Sequence, residues 1–164
     1  MSGCSFVQSV NKLGEEIYIP NKDEWEGTWI AEDGSLQIKV INKELGEIRI
    51  MFIENGELLN YRIFLAKNGN DTYMNLVEKS EDKFYYPAKF KKKTNQVIVW
   101  RVSSDFLKKA ITSKKIDGEI TEHKYNDDLL IKASKEKLNS YFIENSDQML
   151  FEYEDPLVLW RLVK

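Results

Sequence analysis

The stretch GTWIAEDGSLQIKVINKELGEIRIMFIENGELLNYRIFL, residues 27–65, alternates apolar and polar side chains between turn residues. Leu36, Ile38 and Val40 interleave with Gln37 and Lys39. Ile48, Ile50 and Phe52 interleave with Glu47, Arg49 and Met51, and Leu59, Tyr61, Ile63 and Leu65 continue the pattern. A period of two is that of a half-buried strand, whose successive side chains point to opposite faces. The separators are Glu32-Asp33-Gly34, Gly46 and Asn55-Gly56. The last is a tight-hairpin signal, because both residues tolerate positive φ. With Gly27–Ala31 as a first strand, the stretch predicts four antiparallel strands joined by short turns.

The pattern extends downstream. Asn68-Gly69 leads into a run from Tyr73 to Val77, and Lys83 to Phe90 forms a sixth. Pro87 inside that run cannot donate to a ladder, so it marks an edge or a bulge. Thr94-Asn95 turns into Val97 to Val102, a seventh. The period then lengthens. Ser103 or Ser104 caps a helix with Phe106, Leu107, Ala110 and Ile111 on one face, and Gly118 ends the segment. Ser134 caps a second helix striped by Leu138, Tyr141 and Phe142. Strands are predicted at Leu129–Ile131, Leu150–Tyr153 and Leu157–Val163. The fold class is thus mainly β: an up-and-down barrel of about eight or more antiparallel strands, with two short helices inserted before the last strands. The domain spans residues 24–164. Residues 1–23 read as a tether or a poorly ordered segment, or alternatively as an amphipathic turn or two using Phe6, Val7, Val10 and Leu13.

Composition narrows the chemistry. The 164 residues suit one domain, and 24 Lys+Arg against 27 Asp+Glu leave no strong field for nucleic acid or an anionic membrane surface. Bidentate phosphate or base recognition usually uses arginine, and Arg49, Arg62, Arg101 and Arg161 are scattered. No run approaches a membrane span. Lys91-Lys92-Lys93 reads as a solvated hairpin end. Cys4 and His123 are each the single residue of their type, so no internal disulfide forms and a Cys/His zinc site lacks ligands. A conventional proton relay would have to use His123, which lies in the polar run Thr121-Glu122-His123-Lys124 and reads as a surface histidine. The carboxylate pairs Glu15-Glu16, Asp127-Asp128 and Glu152/Glu154 lack calcium-loop spacing, and no phosphate-cradling glycine loop is present. The expectation is a non-catalytic, cofactor-free protein.

Glu26-Gly27-Thr28-Trp29 resembles the Gly-x-Trp signature that opens the first strand of lipocalins and related calycin barrels. The resemblance implies that Trp29 closes the barrel floor and that Arg161, in the last strand, packs over its ring. It also implies an interior that holds a small ligand. The segments VSSDFLKKAI, LLIKASKEKLNSYF and LVLWRL resemble those of small bacterial envelope proteins with no assigned activity. Ser2-Gly3-Cys4 resembles the end of a bacterial lipobox, which implies lipidation at Cys4 and an envelope protein held to the membrane only through that anchor. The alternative is a cytoplasmic protein. On this reading Tyr61, Tyr73, Tyr85 and Tyr86 offer amphipathic walls, and Arg49, Arg62 or Arg101 would hold a head group. The bland alternative has the tyrosines packing the core or shielding the surface. The expected partner is a small apolar or amphipathic molecule. The competing expectation is a filled barrel that serves as a protein-interaction module.

Overall fold

A computed structural model describes residues 5–77, 84–146 and 149–163. The elements in chain order are β1 (Val7–Ser9), β2 (Glu15–Glu16), a 3-10 turn (Lys22–Glu24), β3 (Gly27–Ala31), β4 (Gly34–Asn42), β5 (Glu47–Glu54), β6 (Glu57–Asn68), β7 (Asp71–Val77), β8 (Tyr85–Lys93) and β9 (Gln96–Arg101). They continue with α1 (Ser104–Thr112), β10 (Gly118–Glu122), β11 (Asp127–Ile131), α2 (Lys135–Asn145) and β12 (Leu157–Arg161).

Strands β3 to β9 run as an antiparallel meander. The chain then leaves the sheet, and β12 returns to pair with both β9 and β3. Eight strands therefore close on themselves, as the two-residue alternation predicts. The seven runs supply seven staves and the last strand supplies the eighth. The predicted turn at Asn55-Gly56 adopts positive φ at both residues, 51° and 80°. Ser103 and Ser134 cap the two helices, accepting from the Phe106 and Lys137 amides at 3.3 Å.

One face of each stave builds the barrel core: Trp29, Ile38, Ile48, Ile63, Leu65, Met74, Phe90, Val97 and Leu159 are buried together. Arg161 stands opposite Trp29 in the β12–β3 ladder. Trp29 is fully buried, and its indole Nε1 donates to the Trp25 carbonyl at 2.8 Å. The Arg161 guanidinium reaches along Gly27 and donates to the Glu26 carbonyl at 2.7 Å. Ile19 and Trp25, from the chain before β3, join the same core, and Trp25 meets Phe90 edge-on at 5.9 Å. Lys92 lies 5.6 Å over the Trp25 ring. The middle of the lysine run thus covers the barrel floor, while Lys91 and Lys93 are exposed.

A second core lies outside the barrel wall. Tyr73, on the outer face of β7, packs with Leu13, Val102, Leu107, Leu129, Ile131, Leu138, Phe142 and Phe151. This corrects three expectations. Residues 5–23 are not a tether. β1 pairs in parallel with β11, Ile17 and Ile19 donate to the Leu65 and Lys43 carbonyls, and Leu13 is fully buried. Their buried apolar residues fit no single period because Val7 and Leu13 enter the outer core and Ile19 the barrel core, while Phe6 is exposed. The helical segment expected to end at Gly118 ends at Thr112, and Gly118 instead opens β10, which hairpins onto β11. The stretch Leu150–Tyr153 is not a strand. It makes one bridge, Val102 to Phe151, and plugs the outer core with Leu150 and Phe151.

One buried polar group fastens this N-terminal strap. Asn75, fully buried on β7, accepts from the Leu13 amide at 2.7 Å and donates to the Leu13 carbonyl at 2.9 Å. Gly46 (φ +61°) lets the strap cross the barrel, since a Cβ there would stand 2.5 Å from the Ile17 carbonyl oxygen.

Two stability predictions follow from these contacts. Trp29→Ala should destabilise by about 3–5 kcal/mol, as for a large aromatic removed from a packed core. Asn75→Leu should cost about 3 kcal/mol, because it strands the buried Leu13 amide and carbonyl. Both are read by urea unfolding. A near-neutral result would mean that Trp29 does not fill the floor, or that the strap is not held by Asn75.

Candidate functional site

The two ends of the barrel differ. Around Trp29 the inward side chains of Ile48, Leu65, Phe90, Val97 and Leu159 are at most a few per cent exposed. Toward the other end the inward positions Ile50, Tyr61, Leu76, Tyr86 and Val99 are only half-buried, and Leu157 is 48% exposed.

At this looser end, β8 changes partner. It pairs with β1 at Tyr85 and with β9 from Ala88 onward. Pro87 sits between, where its missing N–H costs no ladder bond. The edge predicted at Pro87 is this fork. A cavity of ≈ 480 Å³ opens in it. Phe6, Val7, Leu76, Pro87, Ala88 and Val102 give it an apolar wall, and Tyr86, Arg101, Ser104, Asp105 and Glu152 give it polar positions. Gln8 Nε2 donates to the Tyr86 hydroxyl at 2.6 Å, and the Phe6 ring meets the Tyr86 ring edge-on at 6.3 Å. Both contacts hold Tyr86 in place. Arg101 bridges Glu152 at 3.1 Å and Asp155 at 3.0 Å, and its side chain is 58% exposed.

Of the residues expected to bind ligand, the structure brings Tyr86 and Arg101 together here. Tyr61 faces the barrel interior near the loose end, stacked on Phe52 at 5.8 Å, and does not line the cavity. Arg62 lies on the outer face of β6, paired with Glu47 at 2.8 Å and over the Phe64 ring at 5.3 Å. Arg49 neighbours it in the ladder on that same outer face. Tyr73 also points outward, into the second core. Its hydroxyl is buried, with no hydrogen-bond partner among the described residues. Burial first, and the nearby Asp71 charge second, push its ionisation well above the usual tyrosine value. Cys4 lies outside the described residues. His123 pairs with Asp128 at 2.9 Å, both side chains exposed by two-fifths or more. Sequence reasoning missed Phe6, Gln8, Ala88 and Val102, because they meet only through the β1–β8 fork. The one local signal for that fork is Pro87.

Comparison of the chain with protein-family models, with curated proteins and with solved structures finds no match.

Tyr73→Phe tests the placement of that residue. It removes an unpaired buried hydroxyl, so stability at neutral pH should be unchanged or up to about 1 kcal/mol higher. A raised folded-state pKa adds stability that is fully present below the unfolded value of about 10 and is lost as pH rises through the folded value. The wild-type stability curve should therefore fall above that pH, and the Phe variant should fall less. A large loss at neutral pH would mean that the hydroxyl is bonded.

Proposed function

We propose that this protein is a non-catalytic cell-envelope lipoprotein that binds a small apolar or amphipathic molecule at the loose end of its barrel. The observation that carries the reading is the fork cavity. It is large enough for a small ligand, apolar along one wall, and edged by Tyr86 and Arg101. The apolar part of a ligand would pack against Phe6, Leu76, Ala88 and Val102. Its polar head would face Arg101, which can exchange the Glu152 or Asp155 carboxylate for a ligand anion at the surface. The packed core around Trp29 supplies a rigid base. Anchoring through a lipidated Cys4 rests on the Ser2-Gly3-Cys4 resemblance.

A second reading, a protein-interaction module, is supported by exposed apolar side chains on the segment between β9 and β12. Tyr125 is 75% exposed, Ile143 50% and Met149 80%.

Titration with anilinonaphthalene sulfonate, an aromatic ring system carrying an anionic head, separates the two readings. The expected result is a saturable fluorescence rise that is abolished by Ala88→Trp, which fills the cavity, and weakened by Arg101→Ala. Binding that survives Ala88→Trp would contradict the fork as the site. For the anchor, Cys4→Ser should move the protein from the membrane fraction to the soluble fraction of its host. An unchanged distribution would contradict lipidation.

A further inference from the structure

The outer barrel wall carries a second cavity, of ≈ 370 Å³, which shares no lining residue with the fork. Trp100 and Tyr153 wall it, their rings 5.7 Å apart and tilted by 59°. Lys89 and Asp71 also line it and are paired at 2.9 Å, with their side chains 15% and 28% exposed. Lys89 also donates to the Tyr153 hydroxyl at 3.2 Å, and that hydroxyl donates to the Ser146 carbonyl at 2.9 Å. The Lys89 ammonium lies 5.5 Å over the Tyr153 ring and 5.6 Å over Phe151. Burial works against this ammonium, yet Asp71 and Tyr153 together hold its pKa above the ordinary lysine value. The aromatic and charged groups are therefore fixed before anything binds.

We propose that this cavity binds a neutral pyranose sugar, through ring stacking on Trp100 and Tyr153 and hydroxyl contacts to Asp71 and Lys89. Each requirement of that ligand has a counterpart. The C–H face of a sugar ring packs on the negative face of an aromatic ring. Adjacent sugar hydroxyls both donate and accept. A carboxylate that accepts beside an ammonium that donates matches such a pair, and both bonds are charge-assisted. The Asp71–Lys89 pair is internally neutral, so a charged ligand would have to break it. Lys91, the remaining charge in the lining, is exposed to solvent, where salt screens it. The site stands apart from the proposed ligand cavity, because Trp100 points outward from β9 whereas Arg101 points toward the fork.

The test is NMR titration of the full chain with cellobiose, maltose and the disaccharide of N-acetylglucosamine, with glucuronate as the charged comparison. The readout is the group of backbone amide resonances from Asn70, Thr72 and Lys91, which line the cavity and remain in every variant. At least one neutral disaccharide should shift them saturably. Trp100→Ala should weaken that affinity about tenfold, the value of one lost stacking contact. Asp71→Asn keeps the shape of the wall, guards against a folding defect in the Ala variant, and should also weaken binding. Thermal unfolding of each variant establishes that it is folded. No saturable shift with any neutral probe, a shift that persists in both variants, or tighter binding of glucuronate would overturn the proposal.

Discussion

The fold depends on one seam, the insertion of the last strand between the first and last staves of the meander. Without β12, β3 and β9 would each present a row of unpaired amides and carbonyls to water, an edge that invites pairing with another chain. With it, the sheet has no free edge along the barrel, and the interior becomes a space that side chains must fill. Trp29 is fully buried beside that seam, across the ladder from Arg161. The guanidinium reaches Glu26, and the Trp29 indole reaches Trp25, so the approach to β3 is tied to the seam from both sides.

The barrel is half of the molecule's architecture. β7 is buried on both faces: Met74 belongs to the barrel core, while Tyr73 and Val77 are buried on the other side. The strap from Ser5 to Asp23 runs across this wall and binds the helical segment to it. Asn75 holds Leu13 from the barrel side, and Asn139 of α2 accepts from the Gly14 amide at 2.8 Å. The β1–β11 pairing extends the sheet past the barrel. The point where β8 changes partner from β9 to β1 opens the fork cavity. The proposed ligand site is therefore a product of the strap and the barrel together, and neither would form it alone.

This division explains what the sequence disclosed. Period-two alternation is a local property, so the staves, their turns and their closure were legible. The Ser103 and Ser134 caps are local too. The parallel pairing of Val7–Ser9 with Leu129–Ile131 joins residues more than 120 positions apart, and no short-range pattern encodes it. Tyr73 and Tyr86 show the same limit at the site. Both are tyrosines in strands of the same wall, and only their position in the register sends one to the outer core and the other to the fork. Arg62 follows the same logic: it alternates with Tyr61 and so must face outward when Tyr61 faces inward. Pro87 was informative because its missing donor has one structural consequence, whichever partner lies beside it.

Hydrogen exchange of the amides of Leu159 and Trp160 in β12 tests the closure most directly. If β12 is the eighth stave, these amides should exchange only through unfolding of the whole domain, with the same free energy as those of β5 and β6. Exchange of β12 at markedly lower free energy, with β3 to β9 still protected, would describe an open sheet with a loosely attached tail and would contradict the barrel.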